Sequence, residues 1–141
     1  MLALAALLLG VRFLPTDKGQ PVAWRDLTSQ VGPLTIVHSE HRLFRKRAKL
    51  VKYLQDALAS RPAPAVDFST HELLLVSPGP RSSSGYSIEV LSVRERSGKL
   101  TVQIRERTPR VGEKVRPRVT YPYRLISLPG DGEVFVDWRG R

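Results

Sequence analysis

Gly85-Tyr-Ser-Ile-Glu-Val-Leu-Ser-Val-Arg-Glu-Arg-Ser-Gly-Lys-Leu-Thr-Val-Gln-Ile-Arg-Glu-Arg107 decides the fold. Tyr86, Ile88 and Val90 alternate with Ser87 and Glu89, and Leu100, Val102 and Ile104 alternate with Thr101, Gln103 and Arg105. That period of two marks a pair of strands with one buried face. Ser97-Gly98 between them reverses the chain, because glycine takes positive φ at no steric cost. The stretch is therefore a β-hairpin. Its first strand changes phase where Leu91 follows Val90 directly, and either a β-bulge or a strand covered on both faces accounts for this.

Upstream of the hairpin, Leu73-Leu-Leu-Val76 is a continuous apolar run and reads as a strand buried on both faces. Ser77 to Ser84 joins the two as a flexible Ser/Pro loop, and Arg61-Pro-Ala-Pro-Ala65 is a stiff extended connection. Before it the spacing predicts a helix from an N-cap at Ser39 to about Ala59. Leu43, Phe44, Ala48, Leu50, Val51, Leu54, Ala57 and Leu58 share its broad apolar face, and Arg45, Lys49, Lys52 and Asp56 lie opposite. Arg47 falls inside the apolar arc, its stem laid over the core. Val22–Leu27 and Leu34–His38 read as short strands, with Trp24 packed at a core or edge or else exposed for binding. Downstream, Thr108 to Arg118 is a loop carrying Arg110, Lys114, Arg116 and Arg118 against Glu113, the most mobile place for a partner contact. Val119–Leu128 is a strand placed at an edge or bulged by Pro122. Pro129-Gly-Asp-Gly132 turns it back into Val134–Trp138.

A chain of 141 residues suits one domain with its own core. The absence of cysteine excludes disulfides, thiolate nucleophiles and cysteine metal sites. A formal charge of +10 invites a polyanionic partner. However, the cations are spread over the helix, hairpin, loop and C-terminus rather than gathered on one face, and net charge speaks first to solubility and non-specific attraction. The densest group, Arg42, Arg45, Lys46, Lys49 and Lys52, crowds the first part of the expected helix, where cations oppose the macrodipole. These five are the candidate residues for nucleic acid or another anionic polymer, with a solvated charged face as the plainer reading.

Leu2 to Val11 is an uncharged apolar run, too short to span a bilayer and of the length of a signal-peptide core. No basic residue precedes it and no small-x-small cleavage site follows. Residues 1–21 are expected to form a signal-like or tethering leader and linker, with a single domain over 22–141. That places the protein outside the cytoplasm, secreted, periplasmic or membrane-tethered through the leader alone. A leader folded as a packed helix would place it in the cytoplasm.

Catalytic chemistry is not legible. His38, His41 and His71 could be drawn with Glu40 as a metal site, but a strand-to-helix junction fixes no ligand geometry and zinc needs three or four ligands. The serines lie in no nucleophile-elbow pattern, and Pro129-Gly-Asp-Gly132 lacks the strand-to-helix setting of a phosphate loop. Glu89, Glu95 and Glu106 read as cross-strand partners for arginine. No catalytic residue, metal or cofactor is expected.

Four motifs, in order, resemble the C-terminal domain of the protease complex subunit PrcB family: Val66-Asp-Phe-Ser69 before an apolar strand, Gly85-Tyr-Ser-Ile88 opening the hairpin, Arg105-Glu-Arg-Thr-Pro109 closing it, and Tyr121-Pro-Tyr-Arg-Leu-Ile-Ser-Leu-Pro129. The resemblance implies a non-enzymatic, exported accessory domain, named for a subunit that associates with and stabilises a surface subtilisin-like protease in bacteria. The approach to Gly85 departs from the family in being rich in Ser and Pro, which would alter the specificity of a contact made there. Gly85 fits a place where the backbone turns sharply or passes close to another segment, and Tyr86, Tyr121, Pro122 and Tyr123 fit fold-defining roles first. Arg81, Tyr86, Arg110, Arg116 and Tyr123 are the candidate partner contacts.

The expected architecture is α+β: a mainly antiparallel sheet of five to seven strands, as a sandwich or partly open barrel, with one amphipathic helix packed on it. The expected function is binding and stabilising a protein partner, with a surface protease foremost. The alternative is a basic module for nucleic acid or anionic polymer.

Overall fold

The computed structural model describes residues 18–140. The leader expected over residues 1–17 lies outside them. Among the described residues the elements are β1 Gln20–Pro21, β2 Arg25–Asp26, α1 Thr28–Val31, β3 Glu40–Phe44, α2 Arg47–Asp56, β4 His71–Ser77, β5 Ser87–Arg96, β6 Lys99–Arg107, β7 Arg124–Pro129 and β8 Glu133–Arg139. They form two four-stranded sheets, β1-β5-β6-β8 and β2-β7-β4-β3. The fold is α+β and mainly antiparallel, an open two-sheet arrangement rather than a closed barrel.

The hairpin is as the alternation predicts. β5 and β6 pair antiparallel, and the register shifts between Val90 and Ser92, which leaves Leu91 as the extra residue of a bulge. Ser97 at φ 50 and Gly98 at φ 76 make the turn, both in the left-handed region that two-residue hairpin loops require.

β4 is the strand buried on both faces. Leu73 and Leu75 enter one core with Leu50, Leu54 and Leu125, beneath α2. Leu74 and Val76 enter another with Ile88, Ile104 and Ile126, between the two sheets. A continuous apolar run is what such a strand needs, since neither parity of side chain meets water.

Several expectations change. The helix expected from Ser39 begins only at Arg47, with Lys46 as an extended N-cap, because Glu40–Phe44 pairs as β3 along β4. Leu43 and Phe44 reach different cores, which adjacent residues do in a strand and not on one face of a helix. At its other end α2 closes with Leu58 at φ 61, 72% exposed rather than on the buried face, while Ala59 donates back to Leu54 O at 2.9 Å in a Schellman-type finish. Arg47 is exposed and donates to Pro64 O at 3.2 Å.

Val22–Leu27 contracts to the two-residue β2, and Leu34–His38 is irregular, its Leu34 and Ile36 nonetheless buried. Trp24 packs against the inter-sheet core. Pro122 lies ahead of β7, which starts at Arg124 and runs between β2 and β4 with no missing ladder donor in its interior. The turn after β7 does not fold β8 back onto it; the chain crosses to the other sheet, where β8 joins β6 in parallel from Lys99↔Glu133 to Arg105↔Arg139. Gly132 permits this crossing, since a Cβ there would stand 2.8 Å from Gly98 O. Gln20–Pro21 pairs with Glu95 and Arg94, so the sheet begins two residues ahead of the expected boundary.

Candidate protein-interaction site

Two connections meet at one end of the fold, the β4–β5 segment 78–86 and the β6–β7 segment 108–123. Their sequences, rich in Ser, Pro, Gly and Arg, read as flexible loops, yet the two lock each other in place. Arg81 and Thr120 exchange backbone hydrogen bonds of 2.8 and 2.9 Å. Thr120 Oγ1 donates to Ser83 O at 2.7 Å. Ser84 and Arg116 are joined twice, Ser84 N donating to Arg116 O at 3.0 Å and Arg116 N donating to Ser84 Oγ at 2.8 Å. Ser77 Oγ donates to Pro122 O at 2.9 Å and accepts from Gly79 N at 3.1 Å. Serine is frequent here because its hydroxyl satisfies backbone groups that no sheet ladder reaches.

Gly85 sits at the crossing. A Cβ on it would lie 2.6 Å from both Pro109 Cβ and Val115 Cγ1, so the close approach inferred from its sequence position is real, and the neighbour is the basic loop itself. Gly85→Ala is expected to push that loop outward and to destabilise the domain by about 1–3 kcal/mol, the usual scale of overpacking. Amide exchange over residues 109–116 together with a urea titration checks it.

The loop's tip is a turn. Glu113 N donates to Arg110 O at 3.0 Å with Gly112 at φ 83, the geometry of a type II turn with Val111 and Gly112 in its centre. The Glu113 carboxylate fastens it, accepting from Arg107 Nη2 at 2.7 Å and from Arg110 N at 2.9 Å. Those two bonds, the Arg107 one first, hold Glu113 below the usual carboxylate range. A depressed carboxylate contributes order that is complete above its unfolded value and lost as pH falls through its folded value. The turn is therefore expected to open only below the ordinary carboxylate range. Amide exchange at Arg110 as a function of pH follows it, and Glu113→Gln should abolish the transition.

Arg81 is held from the other side. Its guanidinium forms a bidentate pair with Glu106, Nη2 at 2.8 Å from Oε2 and Nε on Oε1, and Nη1 donates to Pro80 O at 2.9 Å. Hydrogen bonding to Glu106 raises the Arg81 pKa further, and the guanidinium lies 5.9 Å from the Tyr86 ring centroid. Arg81 and Tyr86 thus form the half-buried base on which the loop stands. Tyr123 is a core residue, 7% exposed, with its hydroxyl on Gly32 O, and burial pushes its pKa up to about 12. Its role is to anchor the α1 region on β7, the fold-defining use of that tyrosine.

Of the five candidate contacts, then, Arg110 and Arg116 are on the surface, Arg81 and Tyr86 support them, and Tyr123 is inside. The sequence reading missed Val111, fully exposed at 107%, and Val119 at 63%. Arg110, Lys114, Arg116 and Arg118 are all exposed, and their side chains make no ion pair among the described residues. Elsewhere Arg42, Arg45, Arg105, Arg124 and Arg139 each hold a carboxylate. The braced loop therefore presents an apolar tip at Val111 flanked by exposed cations.

This whole end belongs to one stretch of chain. Residues 73–129 match the PrcB C-terminal family model. No curated protein and no solved structure matches the chain. The PrcB C-terminal segment runs from within β4 to the end of β7, and so includes the hairpin, both interlocked connections and the strand beneath them. The resemblance read from its motifs is thereby supported over residues 73–129, where this segment is similar to the PrcB C-terminal domain.

The second basic group is distributed differently from its placement on one helix. Arg42 is on β3, Arg45 and Lys46 form the β3–α2 junction, and only Lys49 and Lys52 are on α2. Arg42, Lys49 and Lys52 line a groove of about 400 Å³ with Phe44, Tyr53 and Asp56. Two of its cations are committed, Arg42 to Glu40 at 3.3 Å and Lys52 to Asp56 at 3.2 Å, while Arg45 is drawn away to Glu72. Burial and the hydrogen bond to Glu40 raise the Tyr53 pKa. The histidines are not gathered: His41 pairs with Val76, five residues along β4 from His71, a separation of about 16 Å at strand rise.

Proposed function

We propose that this protein is a non-enzymatic accessory domain that acts outside the cytoplasm, binds a protein partner through the 108–120 loop and stabilises it, with a surface subtilisin-like protease as the first partner to test. The match of residues 73–129 to the PrcB C-terminal family carries this reading, because the matched segment contains the braced loop and its base. The loop supports it physically. The backbone that carries Val111, Arg110 and Arg116 is held in one geometry before any partner arrives, which lowers the ordering cost of association. Export rests on the apolar leader at Leu2 to Val11.

The basic groove beside α2, lined by Arg42, Lys49 and Lys52, favours a second reading, an anionic polymer bound by Arg42, Arg45, Lys46, Lys49 and Lys52. Internal ion pairs at Arg42 and Lys52 weaken it. The two readings part on salt. A pull-down with the chain from Lys18 to Arg141, against extracts of its own organism at low and high ionic strength, separates them. A defined exported protein retained at high salt supports the accessory reading. Nucleic acid or anionic polymer that washes off as salt rises supports the other, since counterion release makes such binding steeply salt-dependent.

A further inference from the structure

Two of the buried serines are spoken for. Ser77 Oγ donates to Pro122 O at 2.9 Å and Ser83 Oγ accepts from Gly85 N at 3.2 Å, as buried polar groups ordinarily do. Ser127 on β7 is different. It is 7% exposed, and its hydroxyl makes no hydrogen bond among the described residues. It lines a cleft of about 200 Å³ whose walls include Arg25, Leu27, Val66, Asp67 and His71.

The strand register gathers these side chains. Arg25 of β2 stands directly opposite Ser127, so the two share a face, and Ser127 in turn stands opposite Leu73 of β4. His71, two residues before Leu73, keeps to that face. The Arg25 guanidinium is exposed and makes no ion pair or hydrogen bond among the described residues. A free guanidinium beside a free hydroxyl is a two-point receptor for a carboxylate. Asp67 brings the opposite charge. Its Oδ1 accepts from Ser69 Oγ at 2.5 Å and from Ser69 N at 3.0 Å, bonds that hold it below the usual carboxylate range and leave Oδ2 outside both. A phosphate would meet Arg25 but also the Asp67 charge, whereas a zwitterion answers both. Leu27 and Val66 add an apolar wall, and the volume lies below the about 300 Å³ at which drug-sized pockets begin.

We infer that this cleft binds a free α-amino acid with a small apolar side chain, its carboxylate on Arg25 and Ser127, its ammonium on Asp67 and its side chain against Leu27 and Val66. The cleft is at the His71 end of β4 and the braced loop at the Ser77 end, about 20 Å away at strand rise. The inference therefore stands independently of the partner that the loop binds.

Amide chemical shifts of the full chain test it, titrated with valine, 3-methylbutanoate (valine without its amino group), valinamide (valine without its carboxylate) and inorganic phosphate. Valine is expected to bind saturably in the millimolar range, shifting amides around Arg25, Asp67 and Ser127, and each truncated analogue to bind on the order of tenfold more weakly. Arg25→Gln should weaken valine binding about tenfold and Ser127→Ala about fivefold, with circular dichroism verifying that both are folded. The urea midpoint of Ser127→Ala should not fall, since its hydroxyl holds nothing in the single chain. Absence of saturable valine binding overturns the inference. So do phosphate binding tighter than valine, 3-methylbutanoate binding as tight as valine, valine binding indifferent to both substitutions, and a lowered midpoint for Ser127→Ala.

Discussion

Leu74→Ala and Leu75→Ala are each expected to cost about 2–5 kcal/mol, and the double variant close to their sum. The two side chains are adjacent in sequence and almost fully buried, 1% and 0% exposed, yet they share no core. Leu75 packs with Leu50, Leu54 and Leu125 under α2; Leu74 packs with Ile88, Ile104 and Ile126 between the sheets. Truncations that share no packing partner add, whereas those that share a cavity do not. Against a total domain stability of roughly 5–15 kcal/mol, losing both approaches the whole. Urea denaturation of the two single variants and the double gives the sum directly. Strong non-additivity would mean that the two faces of β4 communicate through one continuous core.

Arg45→Ala is the second change with a large expected effect. Glu72 is 1% exposed at the start of β4, and its Oε2 accepts from Arg45 Nε at 2.9 Å while Oε1 has no hydrogen-bond partner among the described residues. Arg45 also donates to Gly132 O at 2.9 Å, so one guanidinium ties the β3–α2 junction to the crossing between the sheets. Removing it leaves a buried carboxylate with no protein partner, at a cost of about 1–3 kcal/mol. The exposure of Arg45 itself, at about half, keeps the effect in the lower part of that range, since water screens its side of the pair. Replacing both residues by methionine should recover most of the loss, because a buried pair exchanged for apolar side chains of similar volume is often neutral. Urea midpoints for Arg45→Ala and for Arg45→Met/Glu72→Met decide it. A double variant no more stable than Arg45→Ala would show that the tether to Gly132, rather than the carboxylate, is what matters.

The hairpin, its bulge at Leu91 and the doubly buried β4 were legible because each leaves a mark in hydrophobic periodicity. The helix boundary was not. Residues 40–44 carry Leu43 and Phe44 at positions that also suit the apolar face of a helix, and only the presence of β4 as a pairing partner draws them into a strand, a tertiary preference that no local pattern contains. The parallel β6–β8 pairing was hidden for the same reason. A short Gly-rich turn between two strands ordinarily signals a hairpin, and the crossing depends on Gly132 slipping past Gly98 O.

At the candidate site, Gly85 was legible as a sharp turn or a close approach, and the structure decides for the approach. Tyr123, read first as fold-defining, is buried as that role requires, and only its second reading as a partner contact fails. Val111 was overlooked because a single apolar residue among basic ones reads as an ordinary loop. The Arg110-Val-Gly-Glu113 turn, with glycine at the position that needs positive φ, was the available signal. Glu106 bonds Arg81 from the neighbouring connection rather than an arginine across the hairpin, whereas Glu89 and Arg105 form the expected cross-strand pair at 2.7 Å.

The claim that the braced basic loop binds a protein partner is tested most directly by comparing capture with three forms of the chain: unchanged, Arg110→Glu/Val111→Asp/Arg116→Glu, and Lys46→Ala/Lys49→Ala/Lys52→Ala, each verified as folded. The account predicts that the unchanged chain and the α2 variant retain the same exported protein at high salt, and that the loop variant loses it. Retention by the loop variant, with loss in the α2 variant of a salt-sensitive nucleic acid or anionic polymer, would contradict it.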